Sequence, residues 1–315
     1  MPIAEGASEA RVLSIACYAL DADDRRAPPL SQPSPQAAWE RFYGTRGDTP
    51  LEKVRVQQFN ALEQPTVLRW VDGSGIRIVP GDQLSRALFV SGSYEPNTLT
   101  VLHRLLRRGD VCFDVGANAG VVTLAASQWV APDGHVYSFE PSEREYRRLV
   151  DNLELNAVSG VTPVRAAVCD RSGRVSLRVA ASSHGGLNTL GDRFPYDGVD
   201  VASMEDVEAL TLDEFVERHA IGRIAVIKLD VEGAEGAVLL GGRRVLQEQR
   251  PALIVEVFAK ALAANGWAVD DLQHLLRQAR YRSFLIDDTT AALTPIEELS
   301  DIGERNVVAL PEERE

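Results

Sequence analysis

From Pro96 onward, short apolar runs alternate with amphipathic stretches, and this rhythm restricts the fold more than any other feature of the chain. Val111–Val115, His135–Phe139, Val161–Val168, Ile224–Leu229, Ala252–Phe258, Arg282–Ile286 and Asn306–Leu310 read as strands. The spacing predicts helices over Thr98–Arg108, closed by Gly109, over Gly120–Trp129, and over 234–249 and 268–280. A further helix is expected from Ser142, its cap, to about Asn156, with Glu145 at the capping-box position. Strands and helices alternating in this way predict a doubly wound α/β domain with a mostly parallel sheet and helices on both faces. The segment Asp287–Arg305 has no clear helix, so an antiparallel strand is expected at one edge.

The chain before this rhythm is of a different kind. Pro28, Pro29, Pro33 and Pro35 interrupt residues 1 to about 50, which read as a linker flanked by short helices. Val67–Val71 and Ile76–Val79 flank Asp72-Gly73-Ser74-Gly75, a β-hairpin signal. Residues 1–90 are thus expected as an accessory region, and 91–315 as the main domain. Trp39, Phe42, Tyr43 and Trp70 suggest a small N-terminal core, with a homodimer interface as the alternative. Between Asp170 and Ile221 the pattern loosens: a strand at Arg174–Val179 is followed by loop-like stretches at 182–186 and 194–198. Long loops in α/β folds commonly carry substrate contacts.

Composition excludes several classes. Three well-separated cysteines, Cys17, Cys112 and Cys169, support neither a disulfide framework nor a zinc site, and Cys112 is expected to be buried and inert. The net charge of −13 disfavours nucleic acid as a partner. Only Lys53, Lys228 and Lys260 are lysines among 33 basic residues, and the arginine clusters lie among acids on expected helices. No run is long and apolar enough for a membrane helix, and the acidic N-terminus lacks a signal-peptide pattern. A soluble, cytoplasmic protein is the expectation.

Three strand ends carry the chemistry. Val111–Val115 contains Asp114 and runs into Gly116-Ala117-Asn118-Ala119-Gly120 before a helix. Glycine allows close backbone approach to a ligand, and asparagine tolerates a left-handed conformation. The dinucleotide fingerprint Gly-x-Gly-x-x-Gly is not met, because Asn118 replaces the glycine that serves pyrophosphate. S-adenosylmethionine has no phosphate, and the ammonium of its amino-acid tail calls for a partner such as Asp114. A plain strand–helix turn is the alternative. Next, His135–Phe139 ends at Glu140-Pro141-Ser142, where an acid can accept both ribose hydroxyls. A surface glutamate complementing a helix dipole is the competing account. Third, Ile224–Leu229 runs into Asp230-Val231-Glu232-Gly233-Ala234-Glu235. Asp230 and Glu232 alternate, so one is expected to face the crevice and the other the following helix, whereas Glu235 fits a structural role at that helix's start.

These stretches, together with Tyr94-Glu95-Pro96, Leu153-Glu154-Leu155-Asn156 and Ala166-Ala167-Val168, resemble the FkbM family of methyltransferases over residues 92–258. The resemblance implies a class I, Rossmann-like fold and S-adenosylmethionine as cofactor, with methylation of hydroxyls on sugars or polyketide-type natural products. It implies a cofactor site at Asp114, Gly116, Asn118 and Glu140, and the expected contacts extend to Glu95, Gly120, Thr123, Pro141, Ser142, Ala167 and Asp230. Methyl transfer to a hydroxyl needs in-line alignment and a proton acceptor. Asp230 and His184 are the candidate bases, and Lys228 is a candidate to pair with Glu232 or orient substrate. A divalent cation on Asp230 and Glu232 is an alternative, not the favoured one. The rival functions are N-methylation of a peptide or amine, a nicotinamide-dependent oxidoreductase, and a non-catalytic cofactor-binding module. The absence of a Tyr-x-x-x-Lys pair counts against the oxidoreductase.

Overall fold

The computed structural model describes residues 12–13, 50–70, 73–300 and 302–313. Its centre is an eight-stranded sheet. Strands β4 (Val111–Val115), β5 (His135–Phe139), β6 (Val161–Val164), β10 (Ile224–Leu229) and β11 (Ala252–Val257) run parallel, in the spatial order β11-β10-β4-β5-β6. Strand β14 (Arg305–Pro311) pairs antiparallel with β11; β12 (Tyr281–Ile286) and β13 (Leu293–Ile296) complete that edge. The expected antiparallel edge is present, with β13 as one strand more than the sequence suggested.

Helices cover both faces, so the central strands read as mainly apolar runs. Every residue of β10 is buried. Cys112, Val136, Val226 and Ile254 face one core with helices α3 (Pro96–Leu105), α4 (Val121–Val130) and α5 (Glu143–Leu155). Phe113, Ile227 and Val255 face the other, with α6 (Leu212–Arg218), α7 (Glu235–Gly241), α8 (Arg243–Glu248), α9 (Ala259–Ala264) and α10 (Val269–Gln278). From β4 the chain winds outward through β5 and β6, then returns to β10 on the other side of β4. The switch point therefore lies between β4 and β10, where α/β sheets open a crevice at their carboxyl ends.

The hairpin of β2 (Thr66–Arg69) and β3 (Gly75–Ile78) forms as its glycine-rich turn predicts, and β1 (Val12–Leu13) pairs parallel with β2. Helix α1 (Pro50–Asn60) and the hairpin send Phe59, Leu68, Trp70, Ile76 and Ile78 into the same apolar cluster as Leu124 and Leu149. Asn156 fixes the hairpin to α5 by bonding both backbone groups of Gly75, at 2.7 and 2.8 Å. Helix α2 (Gln83–Ser91) is capped by Asp82, which also accepts from Arg148 at 2.9 Å. The linker and flanking helices expected before residue 50, and Cys17, Trp39, Phe42 and Tyr43, lie outside the described residues apart from β1. Cys112 is buried as expected, with its thiol pushed up by that burial. No described helix is long and apolar enough to cross a membrane.

Four expectations are corrected. The run Val161–Val168 is two strands: β6 stays in the main sheet, while β7 (Ala167–Val168) belongs to a second sheet of order β7-β9-β8. Its partners are β8 (Gly173–Ala180) and β9 (Val201–Leu210), and β9 occupies sequence that reads as loop because its first half is solvent-exposed and its apolar pattern is thin. The helix expected over 234–249 is α7 plus α8, broken at Gly242; a Cβ on the adjacent Gly241 would stand 2.1 Å from the Cys169 carbonyl, so α7 is drawn close onto the chain after β7. Finally, Ser142 is the N-cap of α5 but forms no capping box. Its hydroxyl donates to the buried Glu145 carboxylate at 2.6 Å and takes no helix N–H.

Candidate functional site

The switch point opens into a cavity of about 660 Å³. Its floor is the turn after β4. Gly116 (φ 86°) and Asn118 (φ 48°) take left-handed conformations, and the N–H groups of Gly116 and Ala117 both donate to the Phe139 carbonyl at 2.9 Å. A Cβ on Gly116 would lie 1.7 Å from the Asp230 carbonyl oxygen. Only glycine lets these two backbone segments touch. At the end of β5, the Glu140 carboxylate accepts from the N–H groups of Asn118 and Ser142, each at 2.9 Å, and ties the two turns together. Burial, reinforced by Glu145, pushes the Glu140 carboxyl up to about 8.

The other end of the cavity is acidic. Lys228, only 2% exposed, donates to Asp230 at 2.7 Å. Burial works against the Lys228 charge, but Asp230, Glu95 and Asp114 outweigh it and hold the ammonium well above the usual lysine value. Asp230, Glu232 and Glu256 each place one carboxylate oxygen within 4.8 Å of the others. Burial and the neighbouring Asp230 push Glu232 and Glu256 well above the usual carboxylate range. Glu95 precedes α3 with φ 43°, and burial, opposed by Lys228, pushes its carboxyl to about 7. Such backbone strain is commonly retained at functional sites. The cavity also shows a one-sided hydrogen-bonding demand. Glu95, Asn97, Asn118 and Asn306 belong to its wall, and each holds a buried side-chain oxygen, Glu95 Oε2 or the amide Oδ1, without a partner; among the described residues no unpartnered buried donor belongs to the wall.

Glu95, Gly116, Asn118, Glu140, Pro141, His184, Lys228, Asp230 and Glu232 all border this cavity. Asp114, Gly120, Thr123, Ser142 and Ala167 do not line it. Asp114 is fully buried beneath it: Thr123 donates to its Oδ2 at 2.6 Å, Oδ1 has no partner, and burial raises its carboxyl against the pull of Lys228. Gly120 (φ 85°) lets α5 approach, since a Cβ there would meet the Leu149 side chain at 2.6 Å. Ala167 lines a separate small cavity of about 30 Å³. His184 sits in a 3₁₀ turn, Ser182–Leu187, whose Gly185 and Gly186 approach Glu145 and Asn118. It borders the cavity from a turn that reaches the Asn118 side through Gly186.

Two expectations about the acids change. Lys228 pairs with Asp230, not Glu232. Asp230 and Glu232 do not diverge, because Glu232 (φ 52°) and Gly233 (φ 99°) are left-handed, and this turn cancels strand alternation. Glu235 accepts from the N–H groups of Val231 and Gly233, at 3.1 and 3.3 Å, and holds the turn in place. Sequence reasoning missed Glu256, Asn97, Asn306, Tyr196 and Glu304, all on the cavity wall. The one available signal was Glu256, a lone acid inside the apolar run of β11.

These raised carboxyls set a pH dependence. An acid whose folded-state pKa exceeds its unfolded value stabilises the fold fully below the unfolded value, and that contribution is lost as pH rises through the folded one. Glu95 and Glu235 (each from 4.5 to about 7) and Glu140 (from 4.5 to about 8) place the window between 4.5 and 8. The ligand-free protein is expected to melt at progressively lower temperature across that window, each proton contributing up to about 1.4 kcal/mol per pH unit. A melting temperature that rises steadily from pH 5 to pH 8 would contradict this.

The family model described as Methyltransferase FkbM domain matches residues 114–283, more than half of the chain. Hexuronic acid methyltransferase AglP of Haloferax volcanii is 27% identical over 186 residues, covering 59% of this chain and 69% of that protein. The 31-O-demethyl-FK506 methyltransferase FkbM of Streptomyces tacrolimicus is 32% identical over 159 residues, 43% of this chain and 60% of its own length. The 2-O-methyltransferase NoeI of Sinorhizobium fredii is 26% identical over 179 residues, 51% of this chain and 71% of that protein. The solved structure of Methyltransferase FkbM from Methylobacillus flagellatus KT is 16% identical, with a TM-score of 0.42 over 83% of this chain and 58% of that one.

Proposed function

The chain belongs to the FkbM family of methyltransferases, and we propose that it moves the methyl group of S-adenosylmethionine to a hydroxyl of a sugar or natural-product small molecule. The observation that carries this reading is the cavity at the switch point, with Glu140 at the end of β5 and, on residues of its wall, the unpartnered oxygens of Glu95 and Asn118. The cofactor offers the matching donors in its ribose hydroxyls, adenine amino group and ammonium. Three relatives, named for a hexuronic acid, a 31-O-demethyl acceptor and a 2-O position, favour oxygen over nitrogen as the atom methylated.

Within this reading Glu140 holds the ribose, the Gly116–Asn118 turn receives the amino-acid tail, and Glu95 and Asn118 accept from its donors. Pro141 borders the adenine. Asp114 and Thr123 act from below, bracing the turn, while Gly120, Ser142 and Ala167 shape the elements around it. When bound, the cofactor supplies an electrophilic sulfonium methyl. The chain must align the acceptor hydroxyl with it and take the hydroxyl's proton, and Asp230 is the candidate base at the acidic end. Lys228 holds Asp230 Oδ2 and fixes the carboxylate's orientation. His184, in the turn that reaches the Asn118 side, is the weaker candidate. Isothermal titration with S-adenosylhomocysteine, NAD and NADP tests the assignment. Micromolar binding of the first alone is expected, with at least a hundredfold loss in Glu140→Ala, since a buried carboxylate bonded to ribose is worth about 3 kcal/mol. Preferential binding of NAD or NADP would reopen the enzyme class.

The three carboxylates of Asp230, Glu232 and Glu256 give a specific observation in favour of a divalent cation as a second reading. The ammonium of Lys228, 2.7 Å from Asp230, opposes it by adding positive charge where the cation would sit. Dialysis against EDTA is therefore expected to leave S-adenosylhomocysteine affinity and thermal stability unchanged. A fall in either, restored by magnesium or manganese, would establish the metal.

A further inference from the structure

The acids around the cavity are more numerous than their partners inside it. Lys228 is committed to Asp230, Arg305 lies 3.7 Å from Asp288, and the Tyr196 hydroxyl donates to both oxygens of Glu304. Among the described residues no ion pair engages Glu232 or Glu256, whose carboxylates lie close together at the ends of the neighbouring strands β10 and β11. The Tyr196 ring stands beside them, 5.3 Å from the Phe258 ring. On the proposed reading Glu140 takes the ribose at the opposite end, so this acidic end faces the acceptor molecule.

A second observation is independent of the acids. Asn97, 8% exposed, lines the same cavity; its Nδ2 donates to the Asp288 carbonyl at 2.7 Å, which fixes the amide's orientation and leaves Oδ1 without a partner. Asn306 repeats the pattern with an unpartnered Oδ1. A buried acceptor with no partner costs about 1–3 kcal/mol, and a ligand that brings donors removes that cost. Carboxylates, orphaned amide oxygens and an aromatic ring together describe a site for a donor-rich cation.

We propose that the acceptor is a hydroxyl compound bearing a protonated amine, an amino sugar or amino alcohol, with Glu232 and Glu256 holding its ammonium. This rests on the methyltransferase reading above and narrows it. An ammonium held between two carboxylates keeps its proton and has no lone pair for attack, so the amine orients the molecule and the neighbouring hydroxyl receives the methyl. Methyl transfer then breaks the S–C bond and forms an O–C bond, and the hydroxyl proton passes to Asp230. An ammonium between them favours the ionised form of both acids, whereas a carboxylate or phosphate on the acceptor brings no such compensation and is disfavoured there.

The test uses the full chain saturated with S-adenosylhomocysteine and three probes on one ring: glucosamine, glucose and glucuronate. Calorimetry is expected to show glucosamine binding about tenfold more tightly than glucose, and glucuronate more weakly than either. Raising salt from about 0.05 to about 0.5 M should shrink the preference. The E232Q/E256Q variant, checked for an unaltered circular dichroism spectrum, should bind glucosamine and glucose alike. If that variant does not fold, the wild-type ranking and its salt dependence decide the matter alone. Glucuronate binding as tightly as glucosamine, a preference undiminished in the folded variant, or binding of none of the three would overturn the proposal. Failure of S-adenosylhomocysteine itself to bind would instead count against the underlying reading.

Discussion

Replacing Gly116 by alanine is expected to lower the melting temperature by roughly 10 °C and to abolish measurable S-adenosylhomocysteine binding. Two costs combine. A left-handed conformation costs a non-glycine residue about 1–2 kcal/mol, and the φ here is 86°. The larger cost is steric, because the new Cβ would stand 1.7 Å from the Asp230 carbonyl oxygen, a backbone atom that cannot rotate away. Relieving that overlap separates the turn after β4 from the end of β10, at a total of about 4 kcal/mol, in the range reserved for severe substitutions. Thermal melts and calorimetry on G116A check both effects. Gly120→Ala is the internal control, since its Cβ meets the tip of Leu149, a side chain able to shift, and a smaller loss is expected there. Melting of G116A within about 2 °C of the parent would show that the two segments are not rigidly apposed.

Removing the charge of Lys228 should produce the second large effect. In Lys228→Met the side-chain volume is nearly kept, but Asp230 loses the ammonium at 2.7 Å, and the fully buried Asp114 loses its largest compensation. Breaking a buried pair by deleting one partner costs about 3–5 kcal/mol. The penalty has a predictable pH dependence. Without the lysine, Asp114, Glu95 and Glu232, which it draws down, are pushed further above their unfolded values, so the variant's stability is best kept at low pH, where they are protonated, and falls as pH rises. Urea denaturation should show a gap between parent and variant that is wider at about pH 8 than at about pH 5.5. An equal or narrower gap at the higher pH would mean that Lys228 does not neutralise these acids.

The legible and illegible parts of this protein separate along a physical line. β4, β5 and β10 were readable to the residue, because a largely buried strand is a short, mainly apolar run ended by charge or glycine. The turn at Gly116–Gly120 was readable as well, since its glycines and Asn118 supply left-handed conformations that other residues resist. β9 was not, for its exposed first half carries little apolar signal. Nor was the break between β6 and β7, because an apolar run looks the same whether it stays in one sheet or passes to another.

The succession of strands and helices along the chain, and the acids and glycines at the strand ends, are consequences of local residue patterns, and the chain alone determined them. What the tertiary structure decided is which of these groups meet. Glu256 comes beside Asp230 and Glu232 only because β11 lies next to β10, and Glu232 turns inward only through a left-handed bend that strand periodicity cannot anticipate. The sequence likewise could not show that Thr123 engages Asp114 below the cavity, or that Asn97, brought into the cavity wall by the start of α3, keeps a buried oxygen unpaired. Periodicity reports one element at a time, whereas charge and hydrogen-bond balance belong to the space between elements.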